Sequence, residues 1–196
     1  MRIRLLLVCV ALSALCPALH ATSVVPPQFA ELVNGSDYII RARVKRVSYT
    51  ATERPGKPPL IYTHVALEVI ETIAGEPPVE PVLRCLGGRF GEYELRVGGA
   101  PQFKEGDEDV LFVAGNGRDF FPLYAIMHGR YRVRHDAEGR EFIARSNDVP
   151  LSDVAEIAAP MSEGSAAALQ RRFKSKSDAL TPQSFAAKIR EARHAK

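Results

Sequence analysis

The chain has 196 residues, with 26 lysines and arginines against 23 aspartates and glutamates and a formal charge of +3. A balance this close to neutral excludes the dense basic footprint of a general nucleic-acid binder. Three cysteines, two of them near the start, exclude a disulfide framework, so stability must come from one apolar core of ordinary size.

The first residues read as a secretory leader over 1–21. Arg2 and Arg4 precede the apolar run Leu5 to Leu15, Pro17 breaks it, and Ala21 offers a small residue before a cut at Thr22. The run is shorter than the roughly 20 apolar residues of a membrane span. Leu15 before Cys16 disfavours a lipid anchor. A chain beginning at Thr22 loses Arg2, Arg4, Cys9 and Cys16, which leaves a formal charge of +1 and Cys85 as the one thiol.

Pro26 and Pro27 can open a short helix with Phe29, Leu32 and Val33 on one face, ended by the left-handed tolerance of Asn34-Gly35. Asn34-Gly35-Ser36 also matches a glycosylation acceptor. "YIIRARVKRVSYT" then alternates, with Tyr38, Ile40, Ala42 and Val44 on a dry face and Arg41, Arg43 and Lys45 on the other. "ATERPGKPP" reads as a loop. "LIYTHVALEVIETI", "VLRCL", "YELRV" and "DVLFVAG" read as strands, the last apolar on both faces and central. After the turn signal Asn116-Gly117, "PLYAIM", "GRYRVRH" and "REFIARS" continue the strand pattern.

Beyond Pro150 the composition turns to Ala, Ser and Lys. Residues 147–180 read as a weakly helical, flexible connection. Residues 181–196 read as an amphipathic helix, capped by Thr181, with Pro182 first and Phe185, Ile189 and Ala192 on one stripe. The expected fold is mainly β, a domain over 22–146 with a short N-terminal helix and a C-terminal helical tail.

Candidate chemistry is sparse. Gly87-Gly88 and Gly91 make no phosphate loop, because no G-K-[ST] and no helix follow them. They read as turns or bulges. Cys85 alternates with Leu83 and reads as a buried thiol; a nucleophile would need a histidine base such as His64 or His128, and an intermolecular disulfide is the third option. His64, His128, His135 and His194 lack metal-ligand spacing. "KEGDEDVLF" reads as a solvated acidic turn before a buried strand, since Gly106 comes too early for a calcium loop. The row Arg41, Arg43 and Lys45 is the one regular basic cluster and the candidate binding face. No catalytic residue, cofactor or metal site is expected.

The blocks "PPQFAELVNGSDYIIRARVKRV", "THVALEVIETIAGEPP", "LRCLGGRFGEYELRVGGAPQFKEGDEDVLFV" and "FPLYAIMHGRYRV" together resemble a group of exported bacterial proteins of unknown function, over about residues 24–134. More remotely the layout is similar to netrin-like domains and tissue inhibitors of metalloproteinases. That similarity implies an OB-like, partly open β-barrel with "SDYIIRARV" as its first strand. It departs in having no disulfides and Thr22, not a cysteine, as its expected first residue. The expectation is an exported protein, periplasmic or secreted, without enzymatic activity, that binds a protein or envelope ligand and neither nucleic acid nor membrane. The alternatives are a secreted protease inhibitor or protease-associated protein, and an enzyme using Cys85.

Overall fold

The structure is a computed structural model that describes residues 24–161 and 178–195. The expected leader with its Ala21–Thr22 junction lies outside the described residues. The chain is mainly β. A short helix α1 (Phe29–Asn34) precedes strands β1 (Tyr38–Arg54), β2 (Lys57–Gly75), β3 (Val82–Leu86), β4 (Gly88–Phe90), β5 (Tyr93–Leu95) and β6 (Glu108–Val113). A 3₁₀ turn (Ile126–Gly129) leads into β7 (Arg130–His135) and β8 (Glu141–Arg145). A second 3₁₀ turn (Val154–Ala158) and helix α2 (Pro182–His194) follow. Six strands form one antiparallel sheet in the order β3-β2-β1-β6-β7-β8, and β4 and β5 form a separate hairpin. No described helix is long and apolar enough to cross a membrane.

The sheet is dry on both sides. One face packs Ile39, Val110, Phe112, Tyr131, Val133 and Ile143 against α1, Ile157 and α2. The apolar stripe on α2 is therefore a docking face: Phe185 and Ile189 are fully buried. The Phe185 ring lies 5.0 Å from that of Tyr131 and 6.0 Å from that of Phe112. Thr181 caps α2 as its sequence implies, its Oγ1 accepting from the Ser184 N–H at 3.1 Å. The opposite face gathers Tyr38, Ile40, Ala42, Val44, Val65, Leu67, Leu83, Cys85, Leu111 and Val113. This is the dry face that the alternation of β1 implies.

The sheet is not closed, and its outer strands are capped by loops. On β3, the Leu86 N–H donates to the Phe120 carbonyl at 2.8 Å. The side chain of Asn116 completes that edge, accepting from the Arg84 N–H at 3.1 Å and donating to the Val82 carbonyl at 2.8 Å. Asn116 thus serves an edge strand where its sequence suggests a hairpin turn. On β8, the Ile143 N–H donates to the Leu180 carbonyl and its carbonyl accepts from Leu151. Such capping removes unpaired backbone groups that would otherwise recruit other chains.

Three local expectations need correction. "ATERPGKPP" is no open loop: β1 and β2 remain paired to Arg54↔Lys57 and form a long two-stranded arm. "PLYAIM" is not a strand beyond the single bridge Val113↔Leu123, because Ala125 and Ile126 adopt left-handed conformations and open a 3₁₀ turn. Gly35 ends α1 in a right-handed conformation. Its lack of a side chain is needed because a Cβ there would collide with the Tyr124 ring.

Candidate binding cleft

The acidic stretch before β6 is a structural device. Asp109 is in phase with Leu111 and Val113 on the dry face and is 0% exposed. Arg130, two residues along β7 from the Arg132 that stands opposite Asp109, is 3% exposed and grips both Asp109 oxygens, Nε to Oδ1 at 3.0 Å and Nη2 to Oδ2 at 2.9 Å. Its Nη2 also donates to Asp107 at 2.9 Å. Burial pushes the Asp109 carboxyl up, against the opposing pull of Arg130. Asp107 sits below the usual carboxylate range: desolvation raises it, and hydrogen bonds from the Lys104 backbone and Arg130 outweigh that. The solvated acidic turn read from the sequence thus covers only Lys104–Gly106; Asp107 and Glu108 are half-buried and Asp109 is a core group.

Arg130 also shapes a wall. Its Nη1 donates to the Gln102 carbonyl, and its guanidinium lies 4.2 Å from the Phe103 ring centroid. Gln102 and Phe103 form one side of a cleft of about 760 Å³. Val47, Tyr49, Thr63 and Cys85 also line it, along with the β4–β5 hairpin and residues Val97–Pro101. The mixture of apolar walls and a few polar groups suits ligand binding. Arg89 and Arg96 stand over it, both paired with Glu94, at 3.8 and 2.8 Å.

The glycine pair makes this cleft possible. Thr63 Oγ1 donates to the Gly87 carbonyl at 2.7 Å and ties the hairpin down. Gly88 has φ +129°, and a Cβ there would come within 2.6 Å of Thr63 Oγ1 and 2.7 Å of the Tyr49 ring. Only glycine permits both the conformation and the approach. The turn reading of these glycines agrees with this geometry.

Cys85 is 4% exposed and its thiol pKa is pushed up to about 12, chiefly by burial, with Arg130 pulling weakly the other way. The thiol is therefore protonated near neutrality, which is the state of a packing group. His64 bonds to Thr50 Oγ1 at 2.8 Å on the arm, and His128 is buried among other groups with Nδ1 unpaired. Burial, then the nearby Arg145 charge, holds His128 below the usual imidazole range. No cluster of three metal-ligating side chains occurs among the described residues.

The basic row divides. Arg41 is bonded to Glu108 by Nε at 2.6 Å and to Glu141 by Nη2 at 2.8 Å, with its side chain only 12% exposed. Arg43 joins the same cluster through Glu108 at 3.0 Å. Arg41 is thus neutralised within the protein, while Arg43 is paired at an exposed position. Lys45 is exposed and makes no ion pair among the described residues. Charge spacing along β1 shows the three cations but carries no sign of Glu108 and Glu141, which come from β6 and β8. The pairing of Asp109 with Arg130 went unread as well, although an acid in phase with the apolar residues of a strand signals a buried partner.

Comparison of the sequence with protein-family models and with curated proteins returns no match.

Proposed function

We propose that this protein is an exported β module without enzymatic activity that binds a protein or envelope ligand through the cleft bordered by β1, β2 and the β4–β5 hairpin. The observation that carries the reading is the construction of the cleft: a buried ion cluster and a tethered glycine turn hold open about 760 Å³. The one thiol in it is held protonated. These are the properties of a preorganised binding surface. Export rests on the N-terminal charge and hydropathy pattern alone.

An OB-like architecture belongs to the same proposal. It is supported by the turn of the β6 exit loop back to β3, where Leu86 meets Phe120 and Asn116 bridges Val82 and Arg84. Beside it the cleft would occupy a strand face and its adjoining loops.

Val97→Trp is expected to fill the cleft, because Val97 lines it next to Gly87. Affinity isolation from envelope extracts should recover a ligand or partner with the natural chain and lose it with Val97→Trp at unchanged thermal stability. A partner held equally by both chains would move the site elsewhere. Recovery of nothing by either would remove the reading.

A further inference from the structure

The β1–β2 arm carries an open strand edge. β6 pairs with β1 only from Tyr38 to Arg43, and Val44 takes the last backbone bonds, to Asp107 and from Gly106. A bulge between Val44 and Arg46 then shifts the phase of β1. Beyond it the Val47 N–H turns away from β2 and donates to Glu105 Oε1 at 3.2 Å. Strand periodicity sends the N–H and C=O groups of Tyr49, Ala51 and Glu53 to the same outer side. No described residue hydrogen-bonds to them. On the outer side of β2 the arm is guarded by Pro59, which has no donor to offer.

This edge adjoins the cleft, sharing Val47 and Tyr49 with it. A strand added here would send every second side chain to the cleft face, where the Tyr49 ring is 44% exposed. The arm is also cationic: from 45 to 57 it carries Lys45, Arg46, Arg54 and Lys57 against Glu53 alone, all exposed. A second copy of this chain suits it poorly. Self-pairing along this edge would bring two arms of like charge together.

We propose that an extended acidic peptide segment of a partner protein adds as a strand to the outer edge of β1 at Tyr49–Glu53, with alternate side chains turned toward the cleft. This rests on the binding-module reading and specifies the class of partner. Backbone pairing supplies affinity in such additions, and the flanking cations select for acidic flanks.

Random dodecapeptides displayed on phage and selected on the intact protein test it. The expected binders are rich in Asp, Glu and β-branched residues. Hydrogen exchange should show the amides of Tyr49, Ala51 and Glu53 newly protected by the bound peptide. Ala51→Pro removes one outward donor and leaves the bonds of Thr50 and Thr52 to β2 in place; it should weaken binding about tenfold or more at unchanged unfolding midpoint. The surface pair Lys45→Glu/Lys57→Glu, which touches no core group, should weaken binding and flatten its salt dependence. An empty selection, binders without acidic bias, protection away from the edge, or full binding by both variants would each overturn strand addition. A partner from extracts retained by Ala51→Pro but lost by Val97→Trp would overturn it while leaving the binding-module reading intact.

Discussion

Arg130 does two jobs that pull on the same side chain. It neutralises Asp109 at a fully buried position, and its other contacts, to Gln102 and Phe103, brace the cleft wall. Arg130→Met should cost about 3–5 kcal/mol, because it strands a buried carboxylate. The double change Arg130→Met/Asp109→Leu should recover much of that, read from urea unfolding as a double-mutant cycle. His128 predicts a pH effect of definite sign. Its folded pKa lies below the unfolded value, so the unfolded chain binds the extra proton. Stability is therefore full above an unfolded imidazole pKa of about 6.5 and falls below it, by at most about 1.4 kcal/mol per pH unit. His128→Phe should flatten that slope in unfolding curves between pH 7 and 5. Cys85 should resist a thiol reagent at pH 8 until denaturant opens the domain; rapid labelling of the native protein would contradict the packing role.

The C-terminal helix and the loop after β6 act at a larger size. Helix α2 contributes few polar contacts but closes one core with Phe185, Ala186 and Ile189. Phe185→Ala should destabilise by about 3–5 kcal/mol through lost transfer energy and a cavity, and Thr181→Ala by about 1 kcal/mol through the lost cap. If both changes leave the urea midpoint untouched, the helix does not dock in solution. Asn116 stands in for a strand on the edge of β3 with two hydrogen bonds. Asn116→Ala should cost about 1–2 kcal/mol and speed amide exchange on Arg84 more than on β7, where the bonding does not change.

Across the whole molecule, charge is arranged in two clusters on opposite faces of one sheet. Arg41, Arg43, Glu108 and Glu141 hold the helix side, and Arg130, Arg132, Arg134, Asp107, Asp109 and Asp148 hold the side of the cleft. Both sets are balanced, whereas the exposed Lys45, Arg46, Arg54 and Lys57 of the β1–β2 arm make no ion pair among the described residues. The arm therefore joins an open strand edge to unpaired positive charge beside the cleft. That coincidence makes the arm the place to look for a partner.

Period-two alternation over residues 38–44 and period-3.6 spacing over 182–194 set the main strands and the last helix before any contact is considered. Local pattern is enough there, because each face meets one solvent or one core. It was enough for Cys85, whose phase with Leu83 marks it as buried, and for the glycines that turn β3 into β4. Three things were decided only by folding. Asp109 finds Arg130 across a strand register, and Arg41 finds Glu108 and Glu141 from segments 67 and 100 residues away. The arm emerges because β6 ends at the bulge after Val44, a mismatch of strand lengths that no single segment records. The cleft is the space between such segments. Its walls are legible one at a time along the chain, but its volume exists only once distant strands are brought side by side, since pairing and burial depend on partners that local sequence does not contain.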